Sequence, residues 1–281
     1  MIETLDRRAM LAHLGISAWS ARKYDRKVSD EVTTAKQANA QAARVNKHLF
    51  GGPAKAHQDV MSLAGKARET HYRLTLPWGD SGWRLLPVRT YLEYRAEMEK
   101  LKNEFEEAVG RFAVAYPDLR KEAQYKMGDL FKETDYPVTV DGKFAMSSSF
   151  MPVPVAGDFR VDLAADVVHQ VQEETREGMK DLYKAAMEDV WSRLRDVVEK
   201  ATAKLAEPDA IFRDSLIENI KATAELAHKL NLDDDPNLKW AADRAKYLAD
   251  MNPDILRAHK GFRKDTVQQM EKLVSRMKGV W

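Results

Sequence analysis

Cysteine is absent from the 281 residues, and glycine (13) and proline (10) are sparse. Without thiols there is no disulfide scaffold, thiolate zinc site, iron–sulfur cluster or cysteine nucleophile. A reducing compartment suits such a chain. The low glycine and proline content excludes collagen and flexible linker sequence. No run reaches 18 consecutive apolar residues, so no membrane-spanning helix is expected. The N-terminus places Glu3 and Asp6 before the basic pair Arg7–Arg8, and His13 and Gly15 interrupt the apolar stretch from Ala9 to Ile16. A secretory signal needs a longer apolar centre, so a cytoplasmic protein with no membrane partner is expected.

What is present favours long solvated helices. Hydrophobic residues make up 44% and charged residues 32% of the chain. The net charge of +1 conceals an asymmetry: residues 1–100 carry +6, residues 101–250 carry −9 and residues 251–281 carry +4. Ordinary wet helix faces account for this distribution. The sharper reading is that the two basic ends meet and form one surface for an anionic ligand.

The expected fold is mainly α, an elongated antiparallel helical bundle or coiled coil with a small β-hairpin or β-arm insertion. Three segments are expected. Residues 1–87 form a helical hairpin with a Trp-containing turn. Its first helix starts at Ser29 and carries Val32, Ala35, Ala42, Val45 and Leu49 up to the stop Gly51-Gly52-Pro53. Its second buries Ala56, Val60, Leu63, Ala67 and Leu74. Thr75-Leu76 and Arg84–Pro87 then suggest a short β-hairpin around Gly79–Gly82. Residues 88–206 hold two long paired helices. Tyr91, Tyr94, Met98, Leu101, Phe105, Ala108, Phe112 and Ala115 form a heptad seam that Pro117 should end. A shorter helix follows and stops near Gly128. The second stripe runs from Val168 to Leu205. Between them, residues 136–162 read as a β-arm: a strand at Tyr136–Val140, the turn Asp141-Gly142, a returning strand from Lys143, and a close at Phe159–Val161. Residues 207–281 supply C-terminal helices, at about 209–230, 237–251 and 262–279, packing on the long helix.

No complete catalytic motif is found. Gly79-Asp80-Ser81-Gly82 matches the surroundings of a trypsin-type serine, but a polar glycine-rich turn explains it in a helical chain. His169 and Glu173 share a helix face, and two ligands do not make a metal site. Asp233–Asp235 lacks the alternation and glycine of a calcium loop. Ala64-Gly65-Lys66-Ala67 lacks the rest of a phosphate-binding loop. No catalytic residue, cofactor or metal is therefore expected. Aromatics beside cations occur at Trp78, Trp83, Arg84 and Arg89, and again at Phe262, Arg263 and Lys264. These are the candidate contacts for single-stranded nucleic acid or a protein partner. Core anchors with ordinary flanking charges are the plainer reading.

Arg44-Val45-Asn46-Lys47, Leu74–Trp78, Arg84–Pro87, Phe112 with Tyr116-Pro117, Tyr136-Pro137 and Pro152-Val153-Pro154 carry a resemblance. From about Val45 to Asp162 the chain resembles an uncharacterised family of phage and prophage proteins. Members of that family are often encoded near a MoxR-type AAA+ ATPase and a von Willebrand A protein. The resemblance implies a remodelling or assembly partner and brings no catalytic residues. The expected function is a non-enzymatic phage-type interaction or assembly protein, acting on an AAA+ machine or on itself. The alternative is a single-stranded nucleic-acid-binding protein of phage replication or recombination.

Overall fold

The computed structural model describes residues 5–155, 157, 164–207, 209 and 211–279. Among these the chain is mainly helical with a small sheet. The elements, in chain order, are α1 (Leu5–Arg8), β1 (Ala9–Ala18), β2 (Arg22–Tyr24), α2 (Arg26–Ala35), β3 (Asn46–His48), α3 (Lys55–Leu74), β4 (Leu76–Pro77), β5 (Trp83–Pro87) and α4 (Val88–Met127). They continue with β6 (Phe144–Pro152), α5 (Ala165–Ala206), α6 (Ser215–Leu230), α7 (Pro236–Ala249), α8 (Pro253–Ala258) and α9 (Lys260–Lys278). No described helix is long and apolar enough to cross a membrane. Four strands order as β4-β5-β1-β6, and β2 pairs with β3 in a second sheet.

The β-arm is corrected in its pairing. Residues 136–140 are not a strand, and β6 lies beside β1 instead. The turn at Asp141-Gly142 is present, with Gly142 at φ 69°. Tyr136 is drawn elsewhere: it is buried, and its hydroxyl donates to the Leu49 carbonyl. The expected close at Phe159–Val161 lies outside the described residues.

The chain divides into two compact units, a different cut from the three consecutive segments expected. One comprises Met1–His13, His71–Arg95 and Ser149–Trp281; the other comprises Leu14–Thr70 and Ala96–Ser148.

In the first unit, β4 and β5 form the expected hairpin, with Leu76 opposite Leu85, and β5 pairs antiparallel with β1. α5 is 42 residues long, about 63 Å at 1.5 Å per residue. Its stripe is buried from Met179 to Leu205, through Ala186, Val190, Leu194, Val198 and Ala201. That stripe shares one core with buried faces of α6, α7 and α9 and with Leu11, Trp78 and Leu85 of the sheet region. The C-terminal helices thus pack along α5, as the apolar period required. The interval left between the helices expected at 237–251 and 262–279 holds a further short helix, α8. Asn252 caps α8 by accepting from the Asp254 amide at 2.8 Å, and α9 begins at Lys260.

In the second unit, the first expected helix is shorter. α2 starts after Asp25, whose carboxylate accepts from the Val28 amide at 3.3 Å, and it ends at Ala35. Ser29 is therefore not the cap. It is buried, donates to the Asp25 carbonyl at 2.7 Å and accepts the Val45 amide at 2.9 Å. The Ala-rich stripe beyond residue 35 offers little area to bury. The segment instead leaves the helix at Gln37 (φ 49°) and returns as β3, antiparallel to β2. Gly51 is obligatory in the stop that follows: φ is +63°, and a Cβ there would lie 2.6 Å from Lys126 Cβ.

Pro117 does not end the seam helix. α4 runs 40 residues to Met127, and Gly128 follows at φ 51°. An internal proline costs about 3 kcal/mol. Packing offsets it on both sides, since Phe112, Tyr116, Ala123 and Met127 are all buried. Phe112 sits among Trp19, Phe50, His57, Tyr116 and Phe144, with ring centroids 5.4–6.5 Å away.

Candidate functional site

The hairpin residues come together as core and cap. Trp78 is buried in the main core, and Trp83 packs against it and lies 5.3 Å from the His13 ring. A buried indole cannot stack on a base, so Trp78 is corrected from contact residue to core anchor. Gly79–Gly82 is the exposed connection of the hairpin, with Gly79 and Gly82 at φ 61° and 79°. Arg84 turns back onto the last turn of α3. Its Nε donates to Thr75 Oγ1 at 2.7 Å, and its guanidinium lies 4.7 Å from the Tyr72 ring. Arg193 of α5 completes that cap by donating to the carbonyls of Arg73 and Thr75, both at 3.0 Å. The last carbonyls of a helix have no partner of their own, and guanidinium groups supply one.

Arg89 does the same for α6. It donates to the carbonyls of Asn231 at 3.3 Å and His228 at 3.5 Å, and pairs with Asp234 at 2.7 Å. Phe262, Arg263 and Lys264 are not gathered around the hairpin; they occupy the first turns of α9. Phe262 is exposed and Arg263 is buried. Arg263 and Lys264 line a groove of about 420 Å³ beside Leu205–Glu207. His169 is exposed, and no three metal-ligating side chains cluster among the described residues.

Burial beneath this cap sets the state of His71. Its Nδ1 lies 2.9 Å from the Tyr94 hydroxyl, and desolvation, with Arg84 and His13 adding to it, pushes its pKa from 6.5 to about 4. The folded state therefore releases this proton and the unfolded chain takes it up. Stability from this group is full above pH 6.5 and declines as pH falls toward 4. The slope is at most about 1.4 kcal/mol per pH unit. Urea denaturation at pH 6.5 and 5 checks it: His71→Gln should remove up to one proton's worth of that slope.

One exposed surface of the first unit was not anticipated. On α7 the buried side is Leu238, Ala241, Ala242, Ala245 and Leu248. Trp240, Arg244 and Tyr247 recur at i, i+4 and i+7 and so share another face. Trp240 is 38% exposed and Tyr247 62% exposed. The Arg276 guanidinium of α9 lies 3.7 Å from the Trp240 ring centroid, and that of Arg244 lies 5.1 Å from the Tyr247 ring. Arg244 also donates to Gln269 of α9 at 2.8 Å. The signal was present in the spacing of residues 240, 244 and 247. It was missed because Trp240 and Tyr247 stand apart from the small alanines that carry the helix period.

Comparison of the chain with protein-family models, curated proteins and solved structures finds no match.

Proposed function

We propose that the chain is a non-enzymatic interaction or assembly protein that docks through the exposed face of α7 and α9. The carrying observation is the set Trp240, Arg244, Tyr247 and Arg276 on one surface. Isolated exposed aromatics need no explanation. Two aromatics interleaved with two guanidinium groups have the composition of interface hot spots. The rings supply rigid apolar area, and the arginines favour carboxylates. The partner segment is accordingly acidic with an apolar anchor. The resemblance supports a phage-type protein of the bacterial cytoplasm, with an AAA+ machine or a second copy as the partner. The expected elongated, coiled-coil form is part of the same proposal, and solution scattering tests it.

Selection of a randomised peptide library on the full chain is expected to enrich acidic segments carrying an aromatic or leucine. The double variant Trp240→Ala/Tyr247→Ala should weaken the selected peptides at least about 30-fold. Equal affinity for both proteins, or saturable turnover of a small molecule by the pure chain, overturns the reading. Exposed rings beside guanidinium groups also favour the second reading, single-stranded nucleic acid. Anisotropy titration with oligo(dT) decides between them: binding that falls as salt rises and is lost in the same double variant transfers the face to nucleic acid.

A further inference from the structure

The second unit holds a cavity of about 790 Å³ between the β2–β3 sheet and the start of α3. That volume lies within the range of small-molecule sites, roughly 300–1,000 Å³. Phe50, Ala54 and Met61 give it apolar wall. Its polar groups are unusual in having no internal work. Arg22 lines it, is exposed, and has no side-chain hydrogen bond or ion pair among the described residues. The side chains of Gln58 and His48 are in the same condition. No Asp or Glu lines the cavity.

His57 is the second feature. It is only 9% exposed, and its ring is fixed among Trp19, Phe50, Phe112 and Phe144. Its Nε2 lies 2.7 Å from the Trp19 carbonyl. A carbonyl only accepts, so Nε2 carries a hydrogen; in the Nε2–H tautomer Nδ1 is an acceptor, and it has no partner among the described residues. The backbone around the cavity is held in uncommon conformations, with Ala21 at φ 50° beside Gly51 and Gly52 at φ 63° and 144°. Such strain persists where surrounding structure enforces it. The Leu49 amide does so here, donating to the Ala21 carbonyl at 2.9 Å.

The geometry points to a binding site for a small aromatic anion: a ring body against Phe50 and Met61, a carboxylate-type group on Arg22, and a hydroxyl or amine donor on His57 Nδ1. Charge selects the class. An unpaired guanidinium with no competing carboxylate favours an anion, and the apolar wall excludes a bare inorganic one.

The probe is 6-hydroxy-2-naphthoate, titrated calorimetrically into the full chain, with neutral 2-naphthol as its match. Saturable binding of the naphthoate is expected, and tighter than that of the naphthol. Arg22→Gln should weaken the naphthoate about tenfold and leave the naphthol within about twofold. Gln58→Trp should fill the cavity and remove both. Arg22 and Gln58 are exposed, so both variants should keep the wild-type melting temperature. Equal naphthoate affinity in Arg22→Gln, or naphthol binding as tightly as naphthoate, overturns the anion assignment. Absence of saturation below about 1 mM, or unchanged binding in Gln58→Trp, overturns the site itself.

Discussion

Phe105→Asp is expected to abolish the folded state. Phe105 lies mid-seam on α4 and is 1% exposed. Truncating a buried phenylalanine alone costs about 3–5 kcal/mol. Aspartate adds the desolvation of a charge with no cation to meet it, several kcal/mol more even when the carboxyl protonates. The total reaches the whole stability of an ordinary domain, about 5–15 kcal/mol. Circular dichroism at 222 nm should show loss of helix and no cooperative melting transition. Leu101, one seam step earlier, is only half-buried, so Leu101→Asp should be markedly milder. If Phe105→Asp kept its helicity and melting temperature, the seam would be a docking face and not core.

The second large effect is expected at Lys47. Its ammonium meets Asp135 at 2.7 Å, Asp25 at 3.0 Å and the Leu130 carbonyl at 2.8 Å, which employs all three donors. The side chains of Lys47, Asp25 and Asp135 are 4%, 4% and 8% exposed. Lys47→Met leaves two buried carboxylates with only the half-exposed Lys132, 3.8 Å from Asp25, and Lys23, 3.4 Å from Asp135, to meet them, and breaking such a network from one side costs up to about 3–5 kcal/mol.

The pH profile identifies the cause. The Lys47 hydrogen bond, with the Val28 amide, holds Asp25 below the ordinary carboxylate range. Burial works most strongly to raise Asp135, and only the hydrogen bonds and charges of Lys47 and Lys23 together outweigh it, so Asp135 also titrates low. Lys47 is desolvated, yet its two carboxylates hold it above its ordinary value of 10.5. The carboxylates therefore contribute stability above pH 3.8 that is lost on acidification. Lys47 contributes stability below pH 10.5 that is lost as pH rises through its folded value. Denaturant titrations should show a constant gap between wild type and Lys47→Met from about pH 5 to 9, closing below about pH 4. A gap independent of pH would mean that packing, not charge, is what Lys47 supplies.

Neither Asp25 nor Asp135 stands out in the sequence, because their partner arrives from a different part of the chain. The same is true of Arg84 and Arg89. As residues beside tryptophans they suggested ligand contact; in the structure they close the C-terminal ends of α3 and α6. Helix ends create that demand, and a one-dimensional pattern does not say which cation will meet it.

Composition and period were sufficient for α5, for the β4–β5 hairpin and for the stop near Gly128. Each is governed by near neighbours: an apolar stripe sustained over many turns, a turn flanked by apolar residues, a glycine at positive φ. Other outcomes depended on groups remote in sequence. α2 gives way because β3 pairs with β2 and delivers Lys47 to Asp25. α4 continues through Pro117 because Phe112, Tyr116, Ala123 and Met127 bury enough surface to outweigh a proline. β6 chooses β1 over residues 136–140 because Tyr136 is anchored to Leu49. Local propensity is worth a few tenths of a kcal/mol to about 1 kcal/mol per residue, whereas one buried aromatic contributes several times that, so tertiary burial decides wherever the two conflict.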